Sequence, residues 1–116
     1  MSPQPKTTLT WSEFAKVEMR VGTVREAVRF KAARNPAYKM KIDFGPYGER
    51  KTSAQLTTLY QPEDLIGKQV ICVVNFPPKQ IATMMSECLV LGTLGENNEI
   101  TILNPERKVE NGLRIG

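Results

Sequence analysis

The sequence predicts an all-β fold, a small barrel of five antiparallel strands with one short helix between the third and fourth strands. Apolar and polar residues alternate with a period of two, most clearly from Tyr38 to Phe44. Turn signals such as Asn35-Pro36 and Gly95-Glu96-Asn97-Asn98 separate the strand-like segments at short intervals. With 116 residues, the chain can bury one core but not two, so we expect residues 1–116 to form a single domain.

The N-terminal part is predicted to be a flexible tail over residues 1–9, followed by a short helix. Thr10 and Glu13 have the spacing of a capping box, which predicts a helix from Trp11 to about Val17. Its apolar side chains form a face too short to be stable alone. We therefore expect the helix to pack on the domain core or on a second copy of the chain.

The first three predicted strands are Glu18–Phe30, Tyr38–Phe44 and Arg50–Gln55. The apolar alternation shifts at Gly22, which predicts a bulge or strong coiling that lets one long strand serve two sides of a barrel. The second and third strands are joined by a turn at residues 45–48. Four basic residues are predicted at neighbouring positions on one exposed face of this pair: Lys39, Lys41, Arg50 and Lys51. Facing lysines repel each other unless an anion is nearby.

Residues 62–67 have proline first, acids next and Gly67 last, which is typical of a short helix. The apolar run in Lys68–Asn75 predicts a fourth strand covered on both sides. The fifth strand, Cys88–Leu94, continues through a hairpin into residues 100–103, and the extension at residues 104–116 must dock on the body or on a partner to be ordered. This order of elements is that of the OB barrel, the oligonucleotide/oligosaccharide-binding fold.

The composition narrows the possible functions. There is no histidine, so Ser-His and Cys-His mechanisms are excluded, and Cys72 and Cys88 lack metal-binding or redox spacing and are expected to be buried free thiols. No phosphate-cradling glycine loop is present. We therefore expect a binding protein rather than an enzyme, with no metal and no cofactor.

No apolar run reaches the length of a membrane span, and the first residues lack the apolar region of a secretory signal, which predicts a cytoplasmic location without membrane insertion.

The net charge of +4 is unevenly distributed. Residues 1–60 contain eleven Lys/Arg and five Asp/Glu, and residues 61–116 contain five and seven, so the two parts carry +6 and −2. A basic face would attract phosphate backbones or acidic polypeptides, and a solvated surface is the alternative interpretation.

Several segments carry a family resemblance. They include A-R-N-P-A-Y-K-M-K-I-D-F-G (33–45), S-A-Q-L-T (53–57), N-F-P-P-K-Q-I (75–81) and M-S-E-C-L-V-L-G (85–92). On these motifs the chain resembles the tRNA-binding OB-domain family and, within it, the CsaA branch of export-related chaperones. In that branch a glycine usually follows the position of Ile81, whereas this sequence has Ala82-Thr83.

The resemblance implies a homodimer formed through the N-terminal helix and the C-terminal extension. It further implies a surface that binds unfolded or presecretory polypeptides, possible contact with the export machinery, and tRNA binding as the alternative function. Cations for phosphates and polar groups for unpaired bases make up the predicted RNA-binding set: Arg20, Lys39, Lys41, Arg50, Lys51, Gln55, Asn75, Lys79, Gln80 and Ser86. With few exposed aromatic residues expected, recognition of a folded RNA by shape suits the sequence better than base stacking.

The predicted polypeptide-binding set combines adaptable apolar side chains with a cation: Phe76, Lys79, Ile81, Met84 and Met85. Pro77 and Pro78 restrict the backbone of this segment, which predicts a preformed loop. We expect at least one of the two methionines to be buried in the core. Glu87 could bind a ribose or a base, but a carboxylate repels phosphate, so we favour a structural role in which it holds backbone amides where the loop rejoins the barrel.

Overall fold

The computed structural model describes residues 7–116, so the predicted flexible tail lies outside the described residues over positions 1–6. Helix α1 spans Trp11–Ala15 and ends two residues before the predicted Val17. The predicted capping box is present: the Thr10 hydroxyl accepts from the Glu13 amide at 3.1 Å, and the Glu13 carboxylate accepts from the Thr10 amide at 3.0 Å. All of α1 is exposed on this single chain.

The remaining elements follow the predicted order, with a short helix between the third and fourth strands. They are β1 Met19–Arg29, β2 Tyr38–Asp43, β3 Glu49–Ala54, α2 Pro62–Leu65, β4 Gln69–Val73, β5 Lys79–Ile81, β6 Met84–Ser86, β7 Leu89–Val90, β8 Gly92–Leu94, β9 Ile100–Ile102 and β10 Arg114–Ile115. The predicted fifth strand is divided into β7, which pairs with β4, and β8, which pairs with β9.

The main sheet has the order β3-β2-β1-β4-β7, and β10 adds to β1. It is nearly closed by the segment that precedes β7. The Glu87 amide donates to the Lys51 carbonyl at 2.8 Å, and the Thr52 hydroxyl donates to the Cys88 carbonyl at 2.7 Å. The predicted all-β barrel is confirmed, and β5–β6 and β8–β9 form separate two-stranded sheets.

Strand β1 serves both sides of the barrel, as predicted, but its bulge is not at Gly22. β1 pairs with β4 over Met19–Thr23 and with β2 over Thr23–Arg29, and the register shifts between Val24 and Glu26. Gly22 is needed for a different reason: a Cβ there would lie 2.5 Å from Ile42 Cγ2. The break in apolar alternation therefore marks close packing against β2.

The barrel interior is filled by the apolar faces of the central strands. The alternation predicted for β2 is confirmed, since Tyr38, Met40 and Ile42 are buried and Phe44 continues the pattern. Cys72 and Cys88 are buried free thiols, as predicted. The pKa of the Cys72 thiol is raised by its contact with Cys88 and by burial.

The C-terminal extension docks on its own barrel. The Gln69 side-chain amide donates to the Val109 carbonyl at 2.7 Å and accepts from the Val109 amide at 3.0 Å. Farther along, β10 pairs with the start of β1, and the Arg114 guanidinium donates to the Ala15 carbonyl at 2.9 Å. The end of the extension and the end of α1 are therefore in contact.

Candidate RNA-binding face and apolar groove

Three of the predicted lysines lie together on the outer face of β2 and β3. The side chains of this strand pair alternate between the core and solvent, and Lys39, Lys41 and Lys51 are on the solvent side. Lys41 and Lys51 are directly opposite each other in the register. A groove of about 270 Å³ runs along this "lysine face", and it is lined by Glu26, Val28, Lys39, Met40, Lys41, Lys51 and Met84.

One carboxylate offsets part of this positive charge. Glu26 lies opposite Lys41 on β1, and its Oε2 is 3.1 Å from Lys41 Nζ. This hydrogen bond and the charge of Glu26 raise the pKa of Lys41. Lys39 Nζ lies 5.4 Å from the centre of the Phe30 ring, and within residues 7–116 Lys51 has no carboxylate in ion-pair range. The lysine face keeps a net charge of +2, counting three lysines and one glutamate.

The segment after β4 projects from the barrel as the β5–β6 hairpin. Because β5 and β6 pair only with each other in the described sheets, neither methionine enters the core. Met84 is half-buried beside the lysine face and Met85 is 42% exposed. The expectation that at least one methionine is buried is therefore wrong.

The base of this hairpin forms an "apolar groove" of about 400 Å³, which is lined by Ser53, Phe76, Pro77, Lys79, Ile81, Ser86, Cys88 and Leu89. Phe76 is 56% exposed and Leu89 is 48% exposed. Phe76, Lys79 and Ile81 of the predicted polypeptide-binding set meet here, whereas Met84 lines the lysine face instead. Lys51 and Ser53 are two residues apart on β3, so the two grooves adjoin.

Arg20, Asn75 and Arg50 of the predicted RNA-binding set are held by hydrogen bonds to distant parts of the fold. Arg20 is paired with Glu18 at 2.8 Å, donates to the Gly112 carbonyl at 2.7 Å, and stacks over Tyr47. The Asn75 amide accepts from the Glu18 backbone N–H at 3.0 Å and donates to the Lys16 carbonyl at 2.6 Å.

Arg50 is the third, and it is not on the exposed face with the lysines. It pairs in register with the core residue Ile42, so its side chain starts from the inner face of β3. Its guanidinium donates to the Val74 carbonyl at 2.8 Å and to the Glu87 carbonyl at 3.4 Å. The sequence pattern placed Arg50 next to Lys51 but did not distinguish the two faces of β3.

Around the hairpin, polar side chains mostly support the backbone. The Glu87 carboxylate accepts from the Lys51 amide at 2.9 Å, which agrees with the structural role expected for it. The Ser86 hydroxyl lies 3.2 Å from the Thr52 hydroxyl, and the Gln80 amide donates to the Ala82 carbonyl at 2.7 Å. The contacts of Glu87 and Ser86 hold the end of the hairpin against β3, and that of Gln80 lies within the hairpin.

Gln55 lies elsewhere, in a polar pocket at the end of β3. Sequence reasoning also missed three exposed cations on and after the end of β1, Arg29, Lys31 and Arg34. In the described part of the chain, none of the three forms an ion pair. Their close spacing in R-F-K-A-A-R was the available signal.

Residues 7–116 contain no cluster of three or more candidate metal ligands. Within the same range, every helix is too short or too polar to cross a bilayer.

The sequence matches a known protein family, and the structure is similar to solved structures. The model of a family described as a putative tRNA binding domain matches residues 19–114. The structure is similar to the chaperone CsaA from Bacillus anthracis, with a TM-score of 0.91, 44% identity and coverage of 95% of this chain and 100% of that one. It is also similar to a CsaA chaperone protein from Picrophilus torridus, with a TM-score of 0.88, 44% identity and coverage of 94% and 100%.

Longer proteins match as well. A methionine–tRNA ligase of Francisella tularensis is 34% identical over 106 residues, which are 91% of this chain but 15% of that protein. The chain thus spans about a seventh of that relative's length. On the family match over residues 19–114 and the similarity to CsaA structures across nearly the whole chain, this protein belongs to the putative tRNA-binding domain family and is CsaA-like within it.

Proposed function

We propose that this protein is a non-catalytic binding protein that holds tRNA on the lysine face. The observation that carries the proposal is the direct register of Lys41 and Lys51 on an exposed sheet. Like charges at facing positions are destabilising, and Glu26 reaches only one of the two lysines. A phosphate bound at the groove would offset the charge of Lys51 and so relieve its repulsion from Lys41.

The lining of the lysine face favours recognition of a folded RNA. No aromatic side chain from residues 7–116 lines this groove, and Tyr38, which precedes Lys39 on β2, is buried. Single-strand binders stack bases on exposed aromatic rings, whereas folded RNA is recognised largely through its shape, phosphates and 2′-hydroxyls. tRNA, with its fixed three-dimensional fold, suits such a surface.

The test is tRNA affinity measured over a range of salt concentrations. The double variant Lys41→Ala/Lys51→Ala should bind at least about tenfold more weakly at low salt, and the slope of log K against log salt should fall by about 2. Lys108→Ala removes an exposed cation from a different groove and should change neither quantity appreciably. Binding that is independent of salt, or equally weakened by the control, would refute the phosphate contacts.

We also propose polypeptide binding in the apolar groove, the role of a CsaA-type chaperone. Phe76 and Leu89 are large apolar side chains left half-exposed, and Ile81 lies beside them. Lys79 at the rim would favour acidic segments of an unfolded or presecretory polypeptide. This role implies action in the cytoplasm and possible handover to the export machinery, and both remain predictions.

Phe76→Ala tests this second function, because aromatic side chains in pockets contribute strongly to binding. Its affinity for a reduced, carboxymethylated protein should fall about tenfold, since loss of a central aromatic contact typically costs more than 1 kcal/mol. tRNA affinity should not change. The control Leu94→Ala removes a side chain that is 88% exposed on the β8–β9 hairpin, outside the groove. If Phe76→Ala and Leu94→Ala changed the affinity for the unfolded protein equally, the polypeptide would bind outside the apolar groove.

A homodimer is the third part of the proposal. Leu9 and Trp11 are 66% and 90% exposed, and together with Phe14 they line a shallow apolar pocket of about 250 Å³. Leu113 of the adjacent extension is also exposed. Large apolar patches on a small protein are typical of interaction sites. A second copy of the chain would cover the exposed residues of both α1 and the C-terminal extension.

A further inference from the structure

The polar pocket that contains Gln55 is built differently from the two grooves described above. It has a volume of about 240 Å³ and is lined by Asn35, Pro36, Gln55, Thr57, Thr58 and Asn98. These residues come from three separate connections of the barrel. No charged side chain is among them, but five of the six carry an amide or a hydroxyl group.

The polar side chains of this pocket have no partners in the described part of the chain. No side-chain hydrogen bond within residues 7–116 uses Asn35, Gln55 or Asn98, or the two threonines between them. By contrast, the amides of Gln69, Asn75 and Gln80 are all used within the fold. The side-chain donors and acceptors of this pocket are therefore available to hydrogen-bond a ligand.

The backbone holds Asn98 in a conformation that few side chains adopt. Asn97 and Asn98 both have positive φ, 55° and 61°, in the turn between β8 and β9. Asparagine tolerates this left-handed region better than most residues. The turn therefore presents the Asn98 amide next to the loops that carry Asn35 and Gln55.

The pocket continues the lysine face. Lys51, Ser53 and Gln55 alternate along β3 and its end, so they follow one side of an extended chain. Four residues of extended chain span about 13 Å. Lys31 and Arg34, which form no ion pair within residues 7–116, lie in the same connection as Asn35.

Resting on the RNA-binding function proposed above, we infer that this pocket binds one unpaired adenine nucleotide of the bound RNA. Amide side chains offer a donor and an acceptor together, which matches the N6 and N7 groups of adenine. The absence of a cation in the lining argues against a phosphate in the pocket itself, and Lys31 and Arg34 can hold the flanking phosphates. A volume below the about 300 Å³ of drug-sized pockets suits one planar group.

The inference is tested by comparing short single-stranded A5, C5 and U5 oligonucleotides and tRNA on the full chain. Wild-type protein should prefer A5 over U5 and C5, and Gln55→Ala and Asn35→Ala should each remove most of that preference. Each variant should weaken tRNA binding about tenfold, the effect of one lost base contact, with an unchanged salt slope because no charge is removed. Asn104→Ala, an exposed amide of another groove, should leave both ligands unaffected.

The outcomes separate the two proposals. If tRNA binds and depends on Lys41 and Lys51, but Gln55→Ala and Asn35→Ala keep wild-type affinity and base preference, the adenine pocket is refuted and the lysine face stands. Equal affinity of the wild-type protein for A5, C5 and U5 would also refute it. If the chain binds no RNA at all, the proposed tRNA function itself is wrong, and the pocket assignment falls with it.

Discussion

Ala82 occupies the first central position of the two-residue turn between β5 and β6, since Ile81 pairs with Met84. Its φ is +48°, and Thr83 is not among the residues with positive φ. A hairpin turn with positive φ only at its first central residue is of type II′, which favours glycine there. The glycine expected at this position from the family resemblance therefore has a physical reason, and Ala82 holds a strained backbone.

Ala82→Gly should relieve this strain. Alanine in the left-handed region costs about 1 kcal/mol relative to glycine. We expect slower amide hydrogen exchange across the β5–β6 hairpin and a free energy of unfolding raised by up to about 1 kcal/mol in urea titrations. Thr83→Gly, which adds flexibility without relieving a positive φ, should speed exchange instead. Faster exchange in Ala82→Gly would show that the turn is not strained.

At the scale of elements, the β2–β3 hairpin that carries the lysine face depends on its turn. Asp43 ends β2, and its two carboxylate oxygens accept from the Gly45 amide at 2.8 Å and from the Arg25 guanidinium at 2.9 Å. Gly45 has a φ of +63°. Asp43 thereby joins the turn to the bulged part of β1, which keeps β1, β2 and β3 in register beneath the lysines.

This carboxylate predicts an acid dependence of stability. The hydrogen bond from Arg25 and then that from the Gly45 amide lower the pKa of Asp43 below its ordinary value of 3.8. A folded-state pKa below the unfolded one means that the stabilisation is present above about pH 4 and is lost as pH falls through the folded value. Asp43→Asn should therefore unfold more easily at pH 7, and its stability difference from wild type should shrink in acid.

Urea titrations at a series of pH values, with wild type and variant compared at each pH, isolate Asp43 from the other carboxylates. Glu99→Gln, at an exposed position outside β1–β3, is the control and should keep a constant difference from wild type. A difference between Asp43→Asn and wild type that stays constant or grows on acidification would contradict the assignment.

At the scale of the whole molecule, the two chain ends meet where Arg114 donates to the Ala15 carbonyl. Trp11 and Phe14 of α1 and Leu113 of the extension are exposed on the single chain. The C-terminal extension is bound to its own barrel, so it is already ordered before a dimer would form. Two copies related by a twofold axis would each bury the other's α1.

Light scattering at micromolar concentration should therefore give a mass near twice the 13.0 kDa of one chain. Trp11→Ser/Phe14→Ser should shift the protein to the monomer, because two large apolar contacts are removed from the interface. Circular dichroism should show the barrel intact, since α1 has no buried residue on the single chain. Leu94→Ser, at a highly exposed position on the β8–β9 hairpin, should remain dimeric, and a monomeric wild type would overturn the proposal.

The sequence by itself determined the order of elements and the core of β2. Alternation at Tyr38, Met40, Ile42 and Phe44, the Thr10–Glu13 capping box and the glycine and proline turn signals are local features, and each specifies its element without distant contacts. The shared face of Lys39 and Lys41 on β2 was predictable for the same reason, because a period of two places alternate residues on one side of a strand.

Only the tertiary structure decided which polar residues remain free. Arg20, Arg50 and Asn75 look like ligand-binding residues in the sequence, but their partners are backbone groups or charges brought together by folding, in most cases from distant parts of the chain. Met84 is half-buried and Met85 exposed because, in the sheets of residues 7–116, their hairpin pairs only with itself. These outcomes depend on the register between distant strands and on which groups become hydrogen-bond partners in the folded chain. The periodicity of apolar residues along the sequence gives no information on either.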